Sequence, residues 1–235
     1  MFHFGFELRP LDEVTPWGRD KATLHWFGLT DGWYGIEAGG HQLLQPPADY
    51  YVVRLWEDVN ILTRTVLEPV PADLQPFIRS DPRQWGCSPL DFIPDDADLD
   101  TPDHPAETAG NWHGDHYLDL GYLRDAPRLR LWRTTGNGRD EVSLRSGEVE
   151  LTVPASDYLD AVRTLDRTLM AAMEQRIGQL ERRGGRPGVE IDLAGLRHEH
   201  EDRSHWLARN LGRTPRTDWD AVREGVTYLL SSASR

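Results

Sequence analysis

In 235 residues the chain has one cysteine, Cys87, one lysine, Lys21, and three methionines. A lone cysteine can form neither an internal disulfide nor a thiolate metal cage, which fits a reducing compartment and excludes the cysteine-rich zinc folds. No stretch approaches the roughly 20 apolar residues that a membrane-spanning helix needs. The start, MFHFGFELRPLDE, lacks a basic region followed by an apolar one. The expectation is a cytoplasmic protein without a membrane partner. Motifs are scarce too. There is no GxSxG, no GxxxxGK(S/T) and no GxGxxG after a strand, so hydrolase-elbow, phosphate-loop and dinucleotide readings have no anchor. The near absence of lysine among the basic residues points to a GC-rich bacterial genome and needs no structural cause.

Apolar residues make up 38% and charged residues 28%, with nine Trp, seven Tyr and six Phe. That describes a globular chain, of a length that suits one large domain or two small ones. The net charge is −13 and unevenly spread. Between Gln84 and Leu123 there is no Lys or Arg, while nine acids lie there, so the remainder of the chain accounts for only −4. Such a field repels phosphate backbones, which argues against nucleic acid, and steers a basic protein toward it. The candidate partner-binding residues are Asp91, Asp95, Asp96, Asp98, Asp100 and Asp103.

Phe2, Phe4, Phe6 and Leu8 alternate with polar residues, the pattern of a half-buried strand. The aromatic block Thr23 to Leu29, the turn Thr30-Asp31-Gly32 and the block Trp33 to Glu37 read as a hairpin. From Tyr51 to Val66, apolar residues step by three or four, predicting an amphipathic helix. Residues 72–110 show no sustained period and read as an irregular acidic segment, a lid or partner loop. Short β-rich runs at 116–123, 128–133, 141–144 and 148–153, with Asn137-Gly138 and Ser146-Gly147 between the later ones, predict an antiparallel meander. A long helix follows from Ser156 as N-cap to Arg183. One further helix is expected from Asp192 to Gly212, and a last one from Thr217 with Asp220 as a capping pair. The expected fold is a single α+β domain over 1–235. Its antiparallel sheet comes from the N-terminal hairpin and the meander, and packs against one long and several shorter helices, with a helical C-terminal part at 155–232.

Two clusters could carry chemistry. In Trp112-His113-Gly114-Asp115-His116-Tyr117-Leu118-Asp119, the ligands His113, Asp115, His116 and Asp119 are of the types that Zn, Mn or Fe(II) accepts, and Gly114 could let the rings converge. A regular strand from His116 would oppose this, because Asp119 would then point away from His116. The alternative is a pair of hydrogen-bonded histidines at a loop-to-strand junction. In the second cluster, His198, Asp202 and His205 share one helix face, while His200 falls on the apolar stripe. Cys87 has no positioned base and reads as inert. Trp26, Phe27, Trp33 and Tyr34 read as core, or as a protein-binding patch if exposed.

The runs FxFxLxPLDEVTPWG, LHWFGLTDGWY, YYVVRLWEDV, HYLDLGYLRDAPRLRLWR and SDYLDAVRTLDRTLMAAME together resemble an uncharacterised actinobacterial family, a domain of unknown function typical of streptomycetes. The resemblance spans nearly the whole chain and implies a cytoplasmic bacterial α+β protein, with no catalytic residues to carry over. The functional expectation is a binding protein without cofactor that recognises a basic protein partner through its acidic surface, in an immunity or antitoxin-like role. The alternative is an enzyme acting on a small molecule with a divalent metal such as Zn at 113–119.

Overall fold

The computed structural model describes residues 1–18, 21–92, 104–136, 138–184, 187–213 and 215–231. The first strand, β1 (Phe2–Leu8), puts Phe2 and Phe4 into the core as its alternation requires. The expected hairpin does not form. Only Ala22–Thr23 (β2) of the first aromatic block is strand; Gly28–Thr30 is a turn of 3₁₀ helix, and Thr30 Oγ1 donates to Phe27 O. Asp31 and Gly32 are the first residues of β3 (Asp31–Ala38), which pairs antiparallel with β1. At Gly32 a Cβ would lie 2.2 Å from Glu7 O, so this crossing admits only glycine. The short β4 (His41–Gln42) and β5 (Ala48–Tyr51) complete this sheet by pairing with β3.

Helix α1 (Val52–Val66) matches its periodicity: Val52, Leu55, Val59, Leu62 and Val66 are all buried. The segment read as irregular is largely ordered where described. It holds the single turn α2 (Gln75–Ile78) and the helix α3 (Pro105–Gly114), where His104 caps Ala106 N and Pro105 occupies the first turn. The low hydrophobicity of PAETAGNWHG hid this helix, because small residues rather than an apolar stripe make its contact face. The meander is as expected: β6 (Tyr117–Leu118), β7 (Leu129–Gly136), β8 (Arg139–Ser146) and β9 (Val149–Pro154) pair in that order, all antiparallel. The first strand is only two residues long, because Asp119 turns the chain by accepting from Gly121 N.

The long helix α4 (Ala155–Arg183) has Pro154, not Ser156, at its N-cap, and Gly184 ends it at a φ of 73°. Strand β10 (Val189–Glu190) pairs parallel with β2. The helix expected from Asp192 to Gly212 is two helices, α5 (Leu193–Ser204) and α6 (Trp206–Leu211), broken at His205, whose Nδ1 bonds Glu201 O. Asp192 does cap, accepting from Gly195 N. In α7 (Trp219–Ser231) the cap is Asp218, which accepts from Asp220 N and Ala221 N, while Thr217 donates instead to Glu68, just past the end of α1.

The result is an α+β protein with antiparallel sheets against helices. The main core joins both larger sheets to α1 and α4, with Trp26, Leu29, Ile36, Leu55, Leu131 and Leu165 fully buried. The aromatics read as core divide: Trp26 and Tyr34 are buried, while Phe27 and Trp33 are half-buried. A second core lies on the other side of the meander, where Trp132 meets Phe77, Ile78, Trp112, Val222 and Leu229. It depends on a close crossing of α3 and α7, since a Cβ at Gly225 would fall 1.9 Å from Pro105 O. Strand β7 is therefore buried on both faces, and its residues alternate between the two cores. No helix among the described residues is long and apolar enough to cross a membrane.

Candidate functional site

Of the expected partner-binding acids, Asp95, Asp96, Asp98, Asp100 and Asp103 lie outside the described residues. Asp91 sits in a 3₁₀ turn and accepts from Ser88 N at 2.9 Å. The metal candidates are not brought together. His113 is on α3 rather than in a loop, and its ring is buried between Phe77, Trp85 and Tyr117. His116 is buried against Trp112 and bonds the Trp112 carbonyl through Nδ1 at 2.8 Å. Burial holds both imidazoles neutral, at about 3 for His113 and about 4 for His116, with the Arg130 charge pushing the same way. Asp115 and Asp119 face outward. His116, Leu118 and Leu120 do share an inward face, as strand alternation requires. Asp202 is paired with Arg209, and His200 lies over Trp26 and beside Glu174, so the second cluster is also structural. Among the described residues no three His, Cys, Asp or Glu side chains are placed to hold a metal ion. Cys87 is a free thiol, directed at Tyr228 O.

What the structure does assemble is a groove of about 560 Å³ between α1, the end of α3 and the residues leading into α7. Its carboxylates are Asp58, Glu68, Asp115 and Asp119, and its cations Arg64 and Arg216. Asp58 is the unusual member. It is only 9% exposed, and its Oδ2 is buried with no hydrogen-bond partner among the described residues. A buried carboxylate without a cation favours its neutral form. Burial accordingly lifts Asp58 to about 7, against the opposing pull of Arg54, and the charge of Asp119 adds to the rise. Tyr34 donates to the Tyr122 hydroxyl at 3.1 Å, which in turn reaches the Asp58 carboxyl. Partial loss of water at the groove wall also raises Asp115, with Arg64 opposing.

The sequence reading missed Asp58, although the signal was present. Asp58 lies three residues after Leu55 and four before Leu62, so a helix that buries those two must turn Asp58 toward the interior. Asp115 and Asp119 were singled out for a metal, and the structure gives them instead to this groove.

A model of a family of unknown function, DUF5984, matches residues 3–225. No curated protein and no solved structure matches the chain. The chain belongs to the DUF5984 family.

Proposed function

Starting from a family that brings no activity with it, we propose that this chain is a cytoplasmic binding protein that recognises a basic protein partner through an acidic surface, in an immunity or antitoxin-like role. The observation that carries the reading is the buried Oδ2 of Asp58, without a hydrogen-bond partner among the described residues, at the wall of a groove that Asp115 and Asp119 also line. An arginine or lysine of the partner, entering the groove, adds positive charge to that of Arg54, which does not by itself offset the burial of this carboxyl. The acids at 91–103 add to the negative charge of the chain and help steer the encounter. Many toxins that act on nucleic acid are basic, which is the chemistry such a surface suits.

The reading has a specific pH sign. A cation stabilises the ionised form of Asp58, so partner binding releases a proton and tightens as pH rises through about 7. A basic protein retained from native lysate should associate roughly tenfold more slowly when salt is raised several-fold. It should slow similarly after Asp115→Asn with Asp119→Asn, or after joint neutralisation of Asp95, Asp96, Asp98 and Asp100. A partner indifferent to salt and to both sets of variants overturns the proposal. Stoichiometric transition metal surviving gel filtration and dialysis would overturn it in favour of a metal-dependent enzyme.

A further inference from the structure

On the far side of Tyr117 from the acidic groove, the meander carries a cleft of about 320 Å³ whose charge is opposite to that of the chain as a whole. Five arginines line it, Arg79, Arg83, Arg128, Arg130 and Arg145, against the carboxylates of Asp81 and Glu148. The sheet register creates the concentration. Arg130 on β7 stands directly opposite Arg145 on β8, and on its other side opposite Tyr117 on β6. Like charges directly across a ladder destabilise it, so this pair needs a compensating interaction.

The described carboxylates compensate only part of it. Arg79 pairs with Glu150, and Arg83 with Asp81. Arg130 is 5% exposed and has no carboxylate within ion-pair distance among the described residues. It donates to the carbonyls of Ile78 and Ser80, lies over the Tyr117 ring at 4.3 Å, and leaves Nε buried and unpartnered. Arg145 likewise donates to carbonyls, those of Arg79 and Gly147. Arg128, exposed at the rim, has no hydrogen-bond or ion-pair partner among the described residues. Three guanidinium groups are thus fixed or poised around one cleft without an ion-pair partner among the described residues, two of them held by backbone carbonyls. Asp81 and Glu148 nevertheless line the cleft, and Glu150 stands across the ladder from Arg145.

We infer that this cleft is a phosphate-binding site, for a free phosphate or the phosphate of a small phosphorylated metabolite, held by Arg128, Arg130 and Arg145 with Tyr117 at its edge. A guanidinium offers paired N–H donors in a plane, and several together match a tetrahedral dianion better than one carboxylate. The small volume and the acidic groove beside it disfavour a polyanion such as nucleic acid. This site is independent of the partner-binding reading and would survive its failure.

Calorimetry on the full chain tests it, with inorganic phosphate, phenyl phosphate and malonate as probes at matched ionic strength. Binding of phosphate should be saturable, and Arg128→Ala should weaken it about tenfold, since that residue makes no contact the fold needs. Arg124→Ala removes the same charge from the same loop outside the cleft and should change nothing. Phenyl phosphate binding at least about tenfold tighter than phosphate would identify an organic ester as the ligand, and equal binding the free ion; both support the site. Malonate binding as well as phosphate overturns the assignment to phosphate. So does the absence of saturable binding, or equal weakening by Arg124→Ala, and the arginines would then serve only to latch residues 78–80 onto the sheet.

Discussion

The two hollows on either side of Tyr117 handle buried charge in opposite ways. In the acidic groove, Asp58 is buried beside other acids with an unpartnered oxygen, and it is lifted to about 7 so that it can hold a proton. In the arginine cleft, Arg130 is equally buried beside another cation, yet burial and Arg145 pull it down only to about 10, still well above neutrality. A carboxyl can shed its charge inside a protein. A guanidinium cannot, so it must be solvated, and here the carbonyls of Ile78 and Ser80 and the face of Tyr117 do that. The acidic hollow is therefore adjustable by pH and the basic one is not.

The largest expected effect breaks the support of one hollow and spares the other. Gly225→Ala drives a methyl into Pro105 O and should cost about 3 kcal/mol in denaturant unfolding. Hydrogen exchange should speed up in α3 and α7, which build the acidic side, before it does in β7 and β8. Equal acceleration in both would show that the second core does not unfold as a unit.

Arg130→Met tests the claim that carbonyls stand in for an anion. It leaves two acceptors short of a donor, and stability should fall by about 2 kcal/mol. An unchanged midpoint would mean that water replaces the guanidinium without loss.

Asp58→Asn sharpens the pH contrast. The folded chain holds a proton on Asp58 that the unfolded chain releases near pH 4, so wild-type stability is full below about pH 4 and declines as pH rises through about 7. Relative to the Asn variant, wild type should lose about 1 to 2 kcal/mol between about pH 5 and about pH 8 in urea unfolding. Parallel curves for the two proteins would show that Asp58 is ionised throughout. The smallest effect belongs to Arg83→Ala. Its side chain is 86% exposed and pairs with Asp81 only two residues away, so the melting midpoint should not move measurably.

Regular elements with a strong period were legible in the sequence. The stripes of α1 and α4 and the alternation of β1 follow from burying one face of a helix or strand, and the Gly138 and Gly147 turns set the meander. The misreadings share another cause. The block Thr23 to Leu29 has strand-like composition, but β3 pairs with β1 and leaves that block to pack as turns. Helix α3 lacks an apolar stripe because Gly225 lets α7 come close to small side chains. His113 and His116 carry ligand chemistry, but the second core needs their rings as packing.

By itself the sequence determined the α+β class, the main core and the acidic balance, because these depend on composition and on periods within single elements. The two hollows were decided by tertiary structure. Asp58, Asp115 and Asp119 are brought to one groove by the packing of α1 against the start of the meander that follows α3, while Arg79, Arg128, Arg130 and Arg145 meet only through strand register and a latch from a distant turn. Charges far apart along a chain interact according to their separation in space, and the fold alone sets that separation.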